Sequence, residues 1–76
     1  MEFKNWLEIG LKNKMFGETP EADFAADAVV DKSFRNFQKW DDLETYMVFR
    51  GACSEAVKAA KKCFRKWEVV REKRKV

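Results

Sequence analysis

The 76-residue chain contains no histidine, one proline, three glycines and two cysteines. Without imidazole there can be no His-based catalytic triad, no His-containing metal site and no imidazole switch near neutral pH. Leucine and isoleucine are also scarce, with three Leu and one Ile. No apolar run approaches the roughly 18–20 residues that cross a bilayer. The opening Met1-Glu2-Phe3-Lys4-Asn5-Trp6 lacks the basic-then-apolar order of a secretory leader. A cytoplasmic location without a membrane partner is therefore expected.

Cys53 and Cys63 stand ten residues apart. On one helix they would be separated by about 15 Å, against the roughly 7 Å between Cα atoms that a disulfide tolerates. They are expected to be reduced thiols serving as small apolar core residues. The Cys-x-x-Cys spacing of a redox motif is missing.

What is abundant is aromatic. Seven Phe, three Trp and one Tyr accompany eight Ala. Large rings against small helix faces can fill a core that has few branched aliphatic residues. The chain is long enough for one domain, here expected over residues 1–70, with 71–76 as a basic tail.

Strand signals are weak. Asn-Gly and Asp-Gly turns are absent and alternation of period two is nowhere sustained. Helical periodicity recurs in four places, so the expected fold is an all-α compact bundle of four or five short helices. The first helix spans about Glu2 to Lys12 and places Phe3, Trp6, Leu7 and Leu11 on one face. Gly10 is a weak point within it, by up to about 1 kcal/mol relative to Ala. Residues 13–19 form a connection that Met15 and Phe16 pin to the core, with Gly17 as the turn. Thr19-Pro20-Glu21 reads as a helix start, with Thr19 capping. The second helix then runs to about Asp31 with Phe24, Ala25, Ala28 and Val29 inward.

From Asp31 to Trp40 the rings Phe34, Phe37 and Trp40 recur every third residue, as in a tight helical turn or a loop nailed down by aromatics. Asp41 and Glu44 resemble a capping box for a third helix over about Asp42 to Arg50. Gly51 occupies the left-handed position that ends it. The fourth helix starts near Ser54 and passes Trp67. At 100° per residue, Cys53, Ala56, Val57, Ala60, Cys63, Phe64, Trp67 and Val70 fall within roughly 80° of one line. Lys58, Lys62, Arg65, Lys66 and Lys73 fall opposite, Lys61 lies on the flank, and Val69 sits amid the cations. Burial is expected to end near Val70, leaving Arg71 onward frayed.

The order of these features resembles a known family. Phe3-x-x-Trp6-Leu7 is followed by Asp23-Phe24-Ala25-x-Asp27-Ala28-x-x-Asp31-x-Ser33-Phe34. Then come Trp40-Asp41-x-Leu43-x-x-Tyr46-Met47 and a terminal Phe64-x-x-Trp67. Over residues 3–68 this resembles the YozE SAM-like family of short bacterial and phage proteins. Arg35 stands where that family's turn carries proline, and the last helix is more basic than the family's. The resemblance implies a SAM-like arrangement of four or five helices and a cytoplasmic bacterial or phage protein. It brings no activity, cofactor or catalytic residue. SAM-like folds elsewhere serve protein contacts and sometimes nucleic acid, which is analogy at the level of fold.

Asp23, Asp27 and Asp31 stand at four-residue intervals. A hard cation needs six or more oxygens, usually from a glycine-containing loop, so these carboxylates read as a solvated face or as partners for Lys and Arg. A nucleophile elbow, a phosphate loop and paired catalytic carboxylates are all missing, and so small a bundle is expected to fall short of the roughly 300 Å³ of a ligand site. No enzyme activity, metal, cofactor or small-molecule substrate is expected.

Charge is distributed unevenly. Residues 58–76 carry nine basic and two acidic side chains, net +7, whereas residues 1–57 net −4. A long basic C-terminal helix of this kind is an electrostatic footprint for nucleic acid or another acidic partner. The candidate contacts are Lys58, Lys61, Lys62, Arg65, Lys66, Val69 and Lys73. Asn and Gln are missing from this face, so the expected binding is non-sequence-specific. The alternative is a protein-protein adaptor using Val69 and exposed rings such as Phe37 or Phe49, with the basic face only solvated.

Overall fold

Four helices account for the regular structure of the described residues: α1 (Phe3–Lys12), α2 (Pro20–Val30), α3 (Trp40–Phe49) and α4 (Ser54–Lys73). The computed structural model describes the backbone of residues 1–73 and the side chains of residues 1–72. Among these there are no strands.

The 20-residue α4 is the spine. The other three helices all pack on it, α1 also packs on α2, and α3 touches neither α1 nor α2 through its backbone. Three neighbours on one helix widen the arc that must be apolar. Ala59 is accordingly buried together with Ala60, Cys63, Phe64 and Trp67, although Ala59 lies outside the line expected from periodicity. Cys53 departs in the other direction. It precedes the first turn of α4, where its carbonyl accepts the Val57 N–H at 3.1 Å, and its side chain is exposed rather than in the core.

The core is aromatic, as the composition implies. Phe3, wholly buried, meets Phe64 edge-on at 5.1 Å between centroids and Trp67 at 5.4 Å, with Trp6, Phe24 and Phe34 within 6.4 Å. The segment from Asp31 to Lys39 forms no helix but opens on a tight turn in which the Phe34 N–H donates to the Asp31 carbonyl at 3.1 Å. It is held instead by Phe34 in the core and by Lys4, whose ammonium donates to the carbonyls of Asp31 (3.0 Å) and Phe34 (3.4 Å). Phe37, expected to be an exposed contact ring, lies half-buried against Phe34 at 5.2 Å and Tyr46 at 5.3 Å.

Two caps differ from their sequence reading. Thr19 occupies the N-cap of α2, but its hydroxyl donates backwards to the Phe16 carbonyl at 2.7 Å instead of accepting from the helix. The third helix begins at Trp40 with Lys39 at its N-cap, two residues before the expected start, so Asp41 and Glu44 cannot form a capping box. Asp41 and Asp42 instead place negative charge in the first turn, where the helix dipole favours it.

The exits of α1 and α3 share one geometry. In α3, Gly51 (φ 75°) donates to Val48 O at 3.0 Å and Ala52 N–H to Met47 O at 3.0 Å. In α1, Lys14 (φ 53°) donates to Leu11 O at 3.1 Å and Met15 N–H to Gly10 O at 2.8 Å. Both are Schellman motifs, with the left-handed residue at C′. Only the second one uses a residue with a Cβ, which costs about 1 kcal/mol or more in that conformation. Lys14→Gly should therefore raise stability by about 1 kcal/mol, read as a higher urea midpoint at unchanged slope. A lower midpoint would mean that the Lys14 side chain contributes more than its backbone costs.

Arg71, expected to open a basic tail, does not leave the helix. That residue is inside α4 and half-buried, with its guanidinium 4.5 Å from the centre of the Trp67 ring and donating to the Gln38 carbonyl and side-chain oxygens at 3.2 Å each. Stacking on an indole and pairing with a loop carbonyl place a charged residue on the apolar line at the cost of one buried nitrogen, Nε, that has no hydrogen-bond partner. Residues 74–76 of the expected tail lie outside the described residues.

Candidate functional site

The outward face of α4 is a consequence of its inward one. With Ala60, Phe64 and Trp67 fixed in the core, helical rotation turns Lys58, Lys61, Lys62, Arg65, Lys66 and Val69 to solvent, and all six are exposed. Lys73 belongs to α4 by its backbone, and its side chain lies outside the described residues. From Lys58 to Lys66 the helix rises about 12 Å, close to the length of three or four phosphates at about 3.4 Å per nucleotide.

Two of these cations have partners. The Lys62 ammonium is 3.9 Å from a Glu21 carboxylate oxygen, and Arg65 is 3.6 Å from Glu68 one turn along. Both basic side chains remain well exposed, at 70% and 65%, so these are screened surface contacts that a competing polyanion can displace. Among the described residues no carboxylate lies within 4 Å of the Lys58, Lys61 or Lys66 ammonium groups. The carboxyl of Glu21 is held below its usual range by its own backbone N–H, with Lys62 and Lys66 adding to the effect.

Val69 is 53% exposed in the midst of these cations. Phe49, at the C-terminal end of α3, is 86% exposed and Val48 beside it 65%. Of the rings proposed from sequence as contact residues, Phe49 is therefore presented and Phe37 is not.

A second feature escaped the sequence reading. Because the backbones of α2 and α3 approach α4 but not each other, a groove of about 480 Å³ opens between them. Its floor includes Phe24, Ala28, Phe34, Met47, Ala52 and Ala56. This exceeds the volume expected of so short a chain. Asp23, Asp27 and Asp31, read as a solvated stripe, lie along its α2 side, and Glu55 of α4 lines it too. The signal available in sequence was the stripe's position beside Phe24 and Ala28. Which neighbour that edge would face was not.

At one end of the groove the charges are matched. Asp31 accepts from the Tyr46 hydroxyl at 2.6 Å and the Ser33 N–H at 2.9 Å, and Arg50 lies 3.8 Å away. The Tyr46 hydrogen bond, then the Ser33 one, keep the Asp31 carboxyl below its usual range. Burial, reinforced by that carboxylate, raises the Tyr46 phenol. The three aspartates do not converge on a point, and among the described residues no group of three His, Cys, Asp or Glu is placed to hold a metal ion. Cys63 is wholly buried, and burial pushes its thiol up to about 12. A thiol that stays protonated is a packing group, not a nucleophile.

No helix of the described residues is long and apolar enough to cross a membrane. Comparison with known proteins finds no matching family model, no matching curated protein and no matching solved structure. The chain's own geometry is thus what bears on function.

Proposed function

We propose that this protein is a small non-enzymatic binding module whose α4 face engages nucleic acid through its phosphates. The observation that carries the reading is the exposure of Lys58, Lys61, Lys62, Arg65 and Lys66 along one rigid helix, with only loose surface ion pairs to lose. Such a face neutralises phosphates without reading bases, so binding is sequence-tolerant and driven by counterion release. The order of aromatic and acidic motifs supports a SAM-like, YozE-like bundle in a bacterial or phage cytoplasm. The burial of the Cys63 thiol in the core supports a non-catalytic role.

Titration of DNA, RNA and heparin at several salt concentrations tests the proposal. Engagement of about four phosphates gives a slope of log affinity against log salt near −3.6. Lys62→Glu with Arg65→Glu should weaken binding by about 10–100-fold at low salt, with the far-ultraviolet CD spectrum retained because both side chains face water. A flat salt response, or unchanged affinity in the folded double variant, removes nucleic acid from the account. Binding of heparin or an acidic protein without DNA or RNA would reassign the face to an acidic protein partner. A second reading, a protein-protein adaptor with a merely solvated basic face, is favoured by the 86% exposure of Phe49. It stands if polyanion binding fails and Phe49→Ser abolishes a protein contact.

A further inference from the structure

The groove between α2 and α3 is on the opposite electrostatic footing from α4. Its apolar floor is rimmed by Asp23, Asp27, Asp31 and Glu55, against a single cation, Arg50. Asp31 is already engaged by Tyr46 and Arg50. Among the described residues no cation lies within 4 Å of the carboxylates of Asp23, Asp27 or Glu55. Asp23 and Glu55 lie in the first turns of α2 and α4, where the helix dipole accommodates them, but Asp27 has no such role. All three are gathered beside an apolar trough whose Ala52 and Ala56 are only half-buried, which is a recognition pattern in a chain of net charge +3.

The spacing narrows the occupant. Asp23 and Asp27 stand four residues apart on α2, a row of about 6 Å that Asp31, the extended C-cap residue already paired with Tyr46 and Arg50, continues. A helix laid beside α2 with Lys or Arg at four-residue intervals matches that row charge for charge, and its intervening apolar side chains enter the trough. The volume, about 480 Å³, is within the range of clefts that hold ligands, but the row of charges along its edge suits an extended partner better than a compact small molecule. We propose that this groove docks a cationic amphipathic helix of a partner protein, with apolar anchors on Phe24, Met47 and Ala56 and its cations on Asp23, Asp27 and Glu55. The chain's own α4 has cations at the right interval, Lys58, Lys62 and Lys66, but Val69 is its sole large apolar residue on that face. A second copy would therefore lay lysines over the apolar floor, which is why a partner helix is the better fit. The site is separate from the basic face of α4 and does not depend on what that face binds.

The test uses the full chain and a fluorescent Leu/Lys helix with Lys at four-residue intervals, beside the same peptide with Glu for Lys. Only the Lys peptide should bind, more weakly as salt rises. Asp23→Lys with Asp27→Lys should weaken it by about tenfold or more, and both side chains are exposed, so the fold is retained. Ala56→Phe, which fills the floor without changing charge, should do the same. Equal binding by a folded Ala56→Phe variant overturns the proposal, because the peptide is then only adhering to acidic surface. Cys53 supplies a readout independent of that variant's folding. It lines the groove and is exposed, whereas Cys63 is buried. Saturating Lys peptide should slow iodoacetamide alkylation of Cys53 about fivefold or more, and an unchanged rate refutes docking in the groove. Salt-sensitive self-association of the chain alone, abolished by the same aspartate changes, overturns the partner assignment in favour of a second copy.

Discussion

Trp67→Ala is expected to leave the chain largely unfolded at room temperature. The indole is 1% exposed, sits 5.2 Å from Phe64 and 5.4 Å from Phe3, and donates its N–H to the Met1 carbonyl at 2.9 Å. It therefore ties the far end of α4 to the start of the chain. It is also the surface on which Arg71 stacks, at 4.5 Å, so its removal leaves the guanidinium beside the core with less to hold it. Truncating a buried Trp costs about 3–5 kcal/mol, and a domain of this length holds only about 4–11 kcal/mol in total. Urea titration followed by far-ultraviolet CD reads the loss directly. Trp67→Phe keeps most of the ring and loses the N–H donor, so it should remain folded at a cost of about 1–2 kcal/mol. A loss under about 1 kcal/mol for the alanine variant is incompatible with a core centred on these rings.

Gly10→Ala should destabilise, although helix propensity alone assigns it a gain of about 1 kcal/mol. A Cβ on Gly10 would lie 2.6 Å from Phe16 Cε2 and 2.8 Å from Cζ, well inside contact distance. The ring has little room to retreat: it is 5% exposed and meets Trp6 edge-on at 5.5 Å. Its chain segment is also anchored, because Met15 N–H bonds the Gly10 carbonyl at 2.8 Å. Overpacking of this kind costs about 1–3 kcal/mol, so a net loss of about 1–2 kcal/mol is expected in a thermal or urea melt. The background Phe16→Leu removes both clashing atoms. There Gly10→Ala should become neutral or stabilising, a coupling that a double-mutant cycle measures. A Gly10→Ala variant more stable than the original would show that Phe16 packs elsewhere.

Gly10 also shows where local reasoning stops. Read along the helix it is a defect; read across the fold it is the space in which a ring from the following loop lies. Lys14 is a similar case. Nothing in its side chain announces a left-handed residue, and its conformation is imposed because Phe16 must return to α1. The third helix began two residues early for a related reason. Trp40 packs at 5.9 Å from Phe64, so the ring that sequence periodicity assigned to the loop became the first residue of α3.

The groove was illegible for a different reason. Its aspartates were visible at their four-residue spacing, and so were the apolar residues between them, yet both readings of such an edge, solvated or lining a cleft, satisfy the same periodicity. The choice depends on the gap between two helices whose backbones stand apart, and a gap leaves no trace in either helix's own pattern.

Order along the chain was enough to determine an all-α bundle of four or five amphipathic helices, an aromatic core, reduced thiols too far apart to bridge and a cationic outer side to the last helix. Each of these follows from the 3.6-residue repeat and from side-chain chemistry, which are properties of a single segment. Tertiary structure alone decided that Cys53 faces water, that Arg71 stacks on Trp67 rather than fraying, that Gly10 is occupied space and that α2 and α3 stand apart over an acid-rimmed trough. Those outcomes depend on what one segment meets in another, and burial of rings against α4 is the force that brought the segments together.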